Sequence, residues 1–202
     1  MTQVAWQRAP ELTSFTPMGV WTYDETAGDL LVLTGVEGPA ARMGHALTLR
    51  WTRWRAEVEH AEGTPTSVRV TVPVDGVEVV RGEGGVKGLS GPEKAIVRRR
   101  ALKELGAAEH PTVELHSEDV TADRDGWRVA GTLRIRGRSR PFTLRLRDEG
   151  GVLRAKETLR QTDFGVTPVR FLGGAFSVSD EVRVRLDGVA VPTEGYAADR
   201  RR

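Results

Sequence analysis

Residues 127–136 read WRVAGTLRIR, and their alternation decides the fold. Trp127, Val129, Leu133 and Ile135 fall on one side of an extended chain, while Arg128, Ala130, Arg134 and Arg136 fall on the other. Successive side chains of a strand point to opposite faces, so a period of two marks a strand with one buried and one wet side. Gly131 takes an inward slot, where a strand bends or another backbone approaches closely. On both sides of this stretch the pattern repeats. Val68, Val70, Val72 and Val74 alternate with polar residues, as do Val113 and Leu115; Phe142, Leu144 and Leu146; and Val182, Val184 and Leu186. Asp125-Gly126, Gly137 and Glu149-Gly150-Gly151 separate successive runs with the turn chemistry of hairpins.

Strands are expected near 30–34, 46–59, 66–81, 112–121, 127–136, 140–148, 152–160 and 180–191, which makes eight. Eight antiparallel strands close into a barrel without exposed edges, whose interior holds either interlocking side chains or one small ligand. The period breaks twice. Trp54 lies three positions beyond Trp51, which calls for a bulge or for an outward Trp54, and we read a bulge. Glu157 shares a face with Leu153, Ala155 and Leu159, and a carboxylate among apolar neighbours needs a partner. One helix is expected over 92–105, between the third and fourth strands, with Ser90 before it, Pro92 in its first turn and Gly106 at its end. Its narrow stripe of Ile96, Leu102 and Leu105 suits it to one mouth of the barrel. That stripe includes Arg99, which is either the partner of Glu157 or solvated.

The whole 202-residue chain reads as one all-β domain with a core of about 28–192 and tails outside it. No apolar run approaches the ~18 residues of a membrane span. The N-terminus MTQVAWQRAPELTSF lacks the basic start and apolar core of an export signal, so a cytoplasmic location is expected. Absence of cysteine excludes disulfides, thiolate metal sites and a cysteine nucleophile. The formal charge is only +2, which gives little support to non-specific nucleic-acid binding. His45, His60, His110 and His116 do not stand at the spacing of a helical metal site, and neither a metal nor a cofactor is expected. GEGGVKG at 82–88 lacks the strand and helix context of a phosphate cradle, and Asp163 in DFG lacks the other parts of a kinase, so a turn-capping role suits it.

Three stretches resemble the YceI family of lipocalin-like, eight-stranded antiparallel barrels. HPTVELHS at 110–117 is similar to the family's aromatic-Pro-x-Ile-x-Phe-x-Ser strand. GTLRIRGRSRPFTL at 131–144 is similar to its Gly-x-Leu hairpin ending in proline, and QTDFGV at 161–166 resembles its Asp-Phe-Gly turn. Gly44-His45, followed by Leu47 and Leu49, looks like the start of its second strand. His110 and Leu115 replace the usual aromatics, and Gln161 stands where many members carry arginine, with Arg160 one residue earlier. The resemblance implies polyisoprenoid chains, such as quinone tails, bound inside the barrel, and a possible homodimer; many members are exported.

From the inner faces, the expected ligand-binding residues are Leu47, Leu49, Trp51, Val70, Val72, Leu115, Val129, Leu133, Phe142, Leu144, Glu157, Phe164 and Val184. Phe164, Phe171 and Phe176, on the long 161–179 connection with Gly165, Gly173 and Gly174, either cover the mouth or pack on its rim. The function expected is non-catalytic carriage or storage of an isoprenoid or similar lipid. The alternatives are an enzyme acting on a small apolar substrate through His45, Glu157 or Asp163, and an interaction module using Arg134, Arg136, Arg138 and Arg140.

Overall fold

The computed structural model describes residues 18–190. The strands are β1 (Met18–Asp24), β2 (Asp29–Glu37), β3 (His45–Trp51), β4 (Arg55–Ala61), β5 (Thr64–Pro73), β6 (Val77–Gly84), β7 (Thr112–Asp123), β8 (Gly126–Ile135), β9 (Arg138–Asp148), β10 (Val152–Arg160), β11 (Arg170–Phe171) and β12 (Phe176–Ala190). A single α-helix, α1 (Gly91–Leu105), lies between β6 and β7. The sheet runs β1-β4-β5-β7-β8-β9-β10-β12-β2-β3-β6, antiparallel at every step, with β11 paired to β12. It curls into a half-barrel whose path ends at β1 and β6, so the expected closure without edges is not met.

Twelve strands among the described residues correct the expected eight. The segments 46–59 and 66–81 are each cut by a corner. Val74–Gly76 forms a 3-10 turn, and Thr52 bridges to it, its N–H and Oγ1 both donating to the Gly76 carbonyl at 3.0 Å. This corner, rather than a bulge, brings Trp54 inside with Trp51, both buried. β1 is the strand the sequence did not announce: it pairs with β4 along its whole length, Met18↔Ala61 to Asp24↔Arg55, so residues 18–24 join the sheet although they precede the expected core. Position 191 of the last expected strand lies outside the described residues.

The expected hairpin turn at Gly137 joins β8 and β9, which pair in unbroken register from Gly126↔Arg147 to Ile135↔Arg138. Its two-residue turn, Arg136-Gly137, has positive φ at both positions (49° and 72°), as the twist of a tight hairpin requires. α1 starts on a reciprocal cap: Ser90 Oγ accepts from the Glu93 N–H, and the Glu93 carboxylate accepts from the Ser90 N–H at 2.8 Å. The bonds from Ser90, with Lys87 beside it, pull the Glu93 pKa down to about 2. The helix then runs along the outer edge of β6. Lys94 Nζ donates to the Val80 carbonyl at 2.7 Å and Arg98 Nε to the Val77 carbonyl at 2.7 Å, so side chains of α1 satisfy carbonyls that no neighbouring strand reaches. Leu102 and Leu105 pack into the barrel interior.

His60 on β4 is buried against Trp21 of β1, with ring centroids 4.1 Å apart. Burial holds its pKa below the ordinary 6.5, partly opposed by the Val58 carbonyl. The folded state therefore prefers the neutral ring: this stability is full above about pH 6.5 and is lost as pH falls toward the lowered folded value. Urea unfolding between about pH 7 and 5 is expected to show the wild type losing stability more steeply than His60→Gln. Parallel slopes for the two proteins would refute the burial argument.

Candidate functional site

The barrel surrounds a cavity of about 820 Å³ that opens to solvent. Leu30, Val32, Leu47, Val70, Leu144 and Val184 face it from β2, β3, β5, β9 and β12, and all of them are only half-buried although they point inward. An interlocked core leaves such residues with almost no exposure. Here they line a hollow, which separates the two readings that alternation left open.

Of the thirteen residues expected at the site, eleven line this cavity: Leu47, Leu49 and Trp51 on β3, Val70 and Val72 on β5, Leu115 on β7, Leu133 on β8, Phe142 and Leu144 on β9, Val184 on β12, and Phe164 on the turn after β10. Val129 does not. It is 0% exposed and packed within the wall, so it is part of the core rather than of the lining.

Glu157 is the other exception. β9 and β10 pair over only three positions, Asp148↔Leu153 to Leu146↔Ala155, after which the ladder lapses. The Arg145 N–H, the next one along β9, is then left without a strand partner, and the Glu157 carboxylate accepts from it at 3.0 Å with the Arg145 guanidinium 3.9 Å away. The carboxylate thus fills a defect in the wall and stays out of the cavity. Arg99 does not meet it and is exposed on the helix, as a solvated arginine.

Several lining residues carried no readable signal. Val97 and Ala101 come from α1 beside Ile96, whose stripe is expected at the mouth, and Trp54 enters through the corner rather than the expected bulge. Leu30 and Val32 were legible in principle from the alternation of β2. Charged and hydrogen-bonding side chains of the lining, among them His45, Glu93, Arg100, Glu104, Gln161 and Arg170, sit on the helix, the strand ends and the connection after β10. His45 Nε2 is 2.6 Å from the Lys87 carbonyl, which ties the loop before α1 to the start of β3. At Gly44 a Cβ would lie 2.8 Å from Val36 and 2.9 Å from the Phe176 ring, so only glycine lets that ring close in. The Gly44-His45 pair therefore builds one side of the opening.

The 161–166 turn builds another. Phe164 is buried against Leu115, Leu133 and Val166, and an Arg136 guanidinium N–H donates to the Gly165 carbonyl. Arg138 lies over Gly165 so closely that a Cβ there would be 2.7 Å from its guanidinium. Two members of the expected basic face thus clamp this turn rather than await a partner. Asp163 is exposed and does not cap the turn; Asp180 does, accepting from the Thr162 N–H at 2.9 Å and its hydroxyl at 2.8 Å. Phe171 and Phe176 stack at the rim with centroids 5.0 Å apart, while Phe164 belongs to the interior. Of the three residues considered for catalysis, His45 lines the cavity, whereas Glu157 and Asp163 do not. Among the described residues no cluster of His, Asp or Glu could hold a metal ion, and no helix is long and apolar enough to cross a membrane.

An antiparallel barrel wrapped round one apolar cavity, with its polar side chains at the strand ends, defines the class of this molecule. A profile of the YceI-like domain matches residues 21–190, and the chain belongs to that family. Among solved structures, BcnA of Burkholderia cenocepacia is similar with a TM-score of 0.56 at 14% identity, over 80% of this chain and 94% of that one. A YceI protein of Campylobacter jejuni gives a TM-score of 0.46 at 14% identity, over 96% and 94%. No curated protein sequence matches the chain.

Proposed function

We propose that the protein binds and carries an apolar lipid of the polyisoprenoid type inside the barrel, without altering it chemically. The observation that supports this reading is the cavity of about 820 Å³, which nearly every wall strand lines with Val, Leu, Ile, Phe or Trp. Ligand pockets commonly span about 300–1,000 Å³ and are mostly apolar. Burying one five-carbon isoprene unit contributes on the order of 3–4 kcal/mol before ordering costs, so a few units give tight binding without any hydrogen-bond pattern. The proposed contacts are the eleven lining residues named above, with chain length read by the depth of the hollow. Family membership supports the same reading.

Organic-solvent extraction of the purified protein, followed by mass spectrometry, tests it. A co-purified prenyl lipid, or stoichiometric uptake of one added in detergent to the stripped protein, is the expected result. If none co-purifies and added prenyl chains of several lengths do not bind, the carrier reading fails.

A further inference from the structure

The opening of the cavity carries apolar side chains that fold stability does not explain. Met43, Ile96 and Phe171 line the hollow and yet are 45%, 62% and 44% exposed, which places them on its rim. Leu172, next to Phe171, is 65% exposed. Its backbone is also strained: φ is +49°, in the left-handed region that a leucine avoids. Such conformations cost of order 1–3 kcal/mol and cluster at functional sites. The strain buries nothing, because what it presents to solvent is an apolar side chain.

The rest of the tip is paired and stacked. Arg170↔Ser177 and Phe171↔Phe176 pair as a short ladder, and the two phenylalanine rings stack. Leu172 therefore stands at the end of a short hairpin, with Ile96 of α1 and Met43 on other parts of the same rim. Beside them Arg42, next to Met43, and Arg170, next to Phe171, have no acidic partner among the described residues, whereas Glu93 is held by Lys87 at 3.1 Å and Glu104 by Arg100 at 2.9 Å. Glu37 and Asp163 are exposed among these arginines.

We propose that this rim docks on an anionic lipid bilayer, with Phe171, Leu172, Ile96 and Met43 entering the leaflet while Arg42 and Arg170 meet headgroup phosphates. The inference rests on the lipid-carrier reading. Two features favour a leaflet over a protein surface. Met43, Ile96 and Phe171 line the cavity itself instead of forming a separate patch, so a leaflet continues the apolar path where a protein partner would plug it. Unpaired guanidinium groups beside inserted apolar side chains also match the division between headgroups and acyl chains, since each basic residue near an anionic membrane contributes attraction that falls off within a Debye length.

Co-sedimentation of the full chain with phosphatidylcholine vesicles containing phosphatidylglycerol tests the proposal. Binding is expected, weakened by raised salt and reduced roughly tenfold or more by Leu172→Asp, which lies outside the cavity lining and whose change removes an apolar side chain from the leaflet. Uptake of a detergent-dispersed prenyl lipid by that variant, measured alongside, keeps the two readings distinct. If the wild type takes up the lipid but ignores the vesicles, or if the variant binds vesicles as the wild type does, membrane docking is overturned and the carrier reading stands. A wild type that takes up no lipid refutes the carrier reading itself.

Discussion

The double substitution Ala155→Trp and Val184→Trp is expected to weaken binding of long prenyl chains by roughly 100-fold or more while leaving the fold intact. Both residues line the cavity, one on β10 and one on β12, which are paired neighbours. Two indoles in place of a methyl and an isopropyl group would occupy roughly a quarter of the hollow at interior packing density. A chain that fills the cavity must then leave at least one isoprene unit in water, and each unit is worth on the order of 3–4 kcal/mol. Short chains that do not reach this part of the wall should lose little, so the signature is a change in length preference rather than a uniform loss. Titration of prenyl alcohols of increasing length into stripped wild type and variant measures it. Stability provides the control. Inserted bulk in a filled core destabilises by about 1–3 kcal/mol, whereas bulk placed in an empty cavity does not. An unfolding midpoint that drops sharply while length preference stays unchanged would mean that the interior is packed in solution and that the hollow has no role.

How much of this site was readable follows from what each residue faces. The inner wall was legible because a barrel strand has a uniform environment on each side, so Val70 and Val72, or Phe142 and Leu144, carry the alternation on their own. Where the environment changes along a strand, the pattern misleads. Val74 continues the apolar run of β5, yet it sits in the corner with its N–H donated to the Pro111 carbonyl at 2.8 Å. The corner did leave a trace in Pro73 and Asp75-Gly76, residues suited to turns. Glu157 obeyed the alternation and was still misplaced, because its partner is a backbone N–H exposed by a lapse in strand pairing. Such a lapse is a property of the assembled sheet. The contribution of α1 was legible only in part: Ile96 and Leu105 of the stripe read for the mouth line the cavity, whereas Val97 and Ala101 lie outside that stripe.

The charge pattern fits this division of labour. Ion pairs such as Arg50 with Glu78 at 3.5 Å and Arg134 with Glu114 at 3.7 Å lie on the outer face between neighbouring strands and are half-exposed, so each adds little to stability. Arg136 is different, since it fastens the 161–166 turn on which Phe164 closes the interior. Most arginines of the outer face therefore pair weakly across strands, whereas Arg136 holds a turn in place.

Gly131→Val is expected to destabilise the protein by about 3 kcal/mol, at or beyond the upper end for overpacked sites. In a protein of this length that lowers the melting temperature by about 6–12 °C. The cause lies in β7, where the pairing with β8 slips between His116 and Asp119. The slip drives the His116 carbonyl toward β8, so that a Cβ on Gly131 would stand far inside contact distance of that oxygen and 2.8 Å from the Ser117 Cβ. Ser117, which is 1% exposed, fastens the irregular stretch by donating to the Ala130 carbonyl at 2.5 Å. Neither neighbour can yield without breaking this bond or the ladder. Gly131→Ala should already show most of the loss, because the first carbon makes the clash. Thr132→Val, one residue away on the exposed outer face, should change stability by no more than about 0.5 kcal/mol. Thermal unfolding of the three variants decides the matter: a Gly131→Ala protein as stable as the wild type would show that the two strands do not approach as closely as the bulge requires. The inward glycine in WRVAGTLRIR is thus a mark of backbone contact, legible in the sequence as a missing side chain on the face where every neighbour has one.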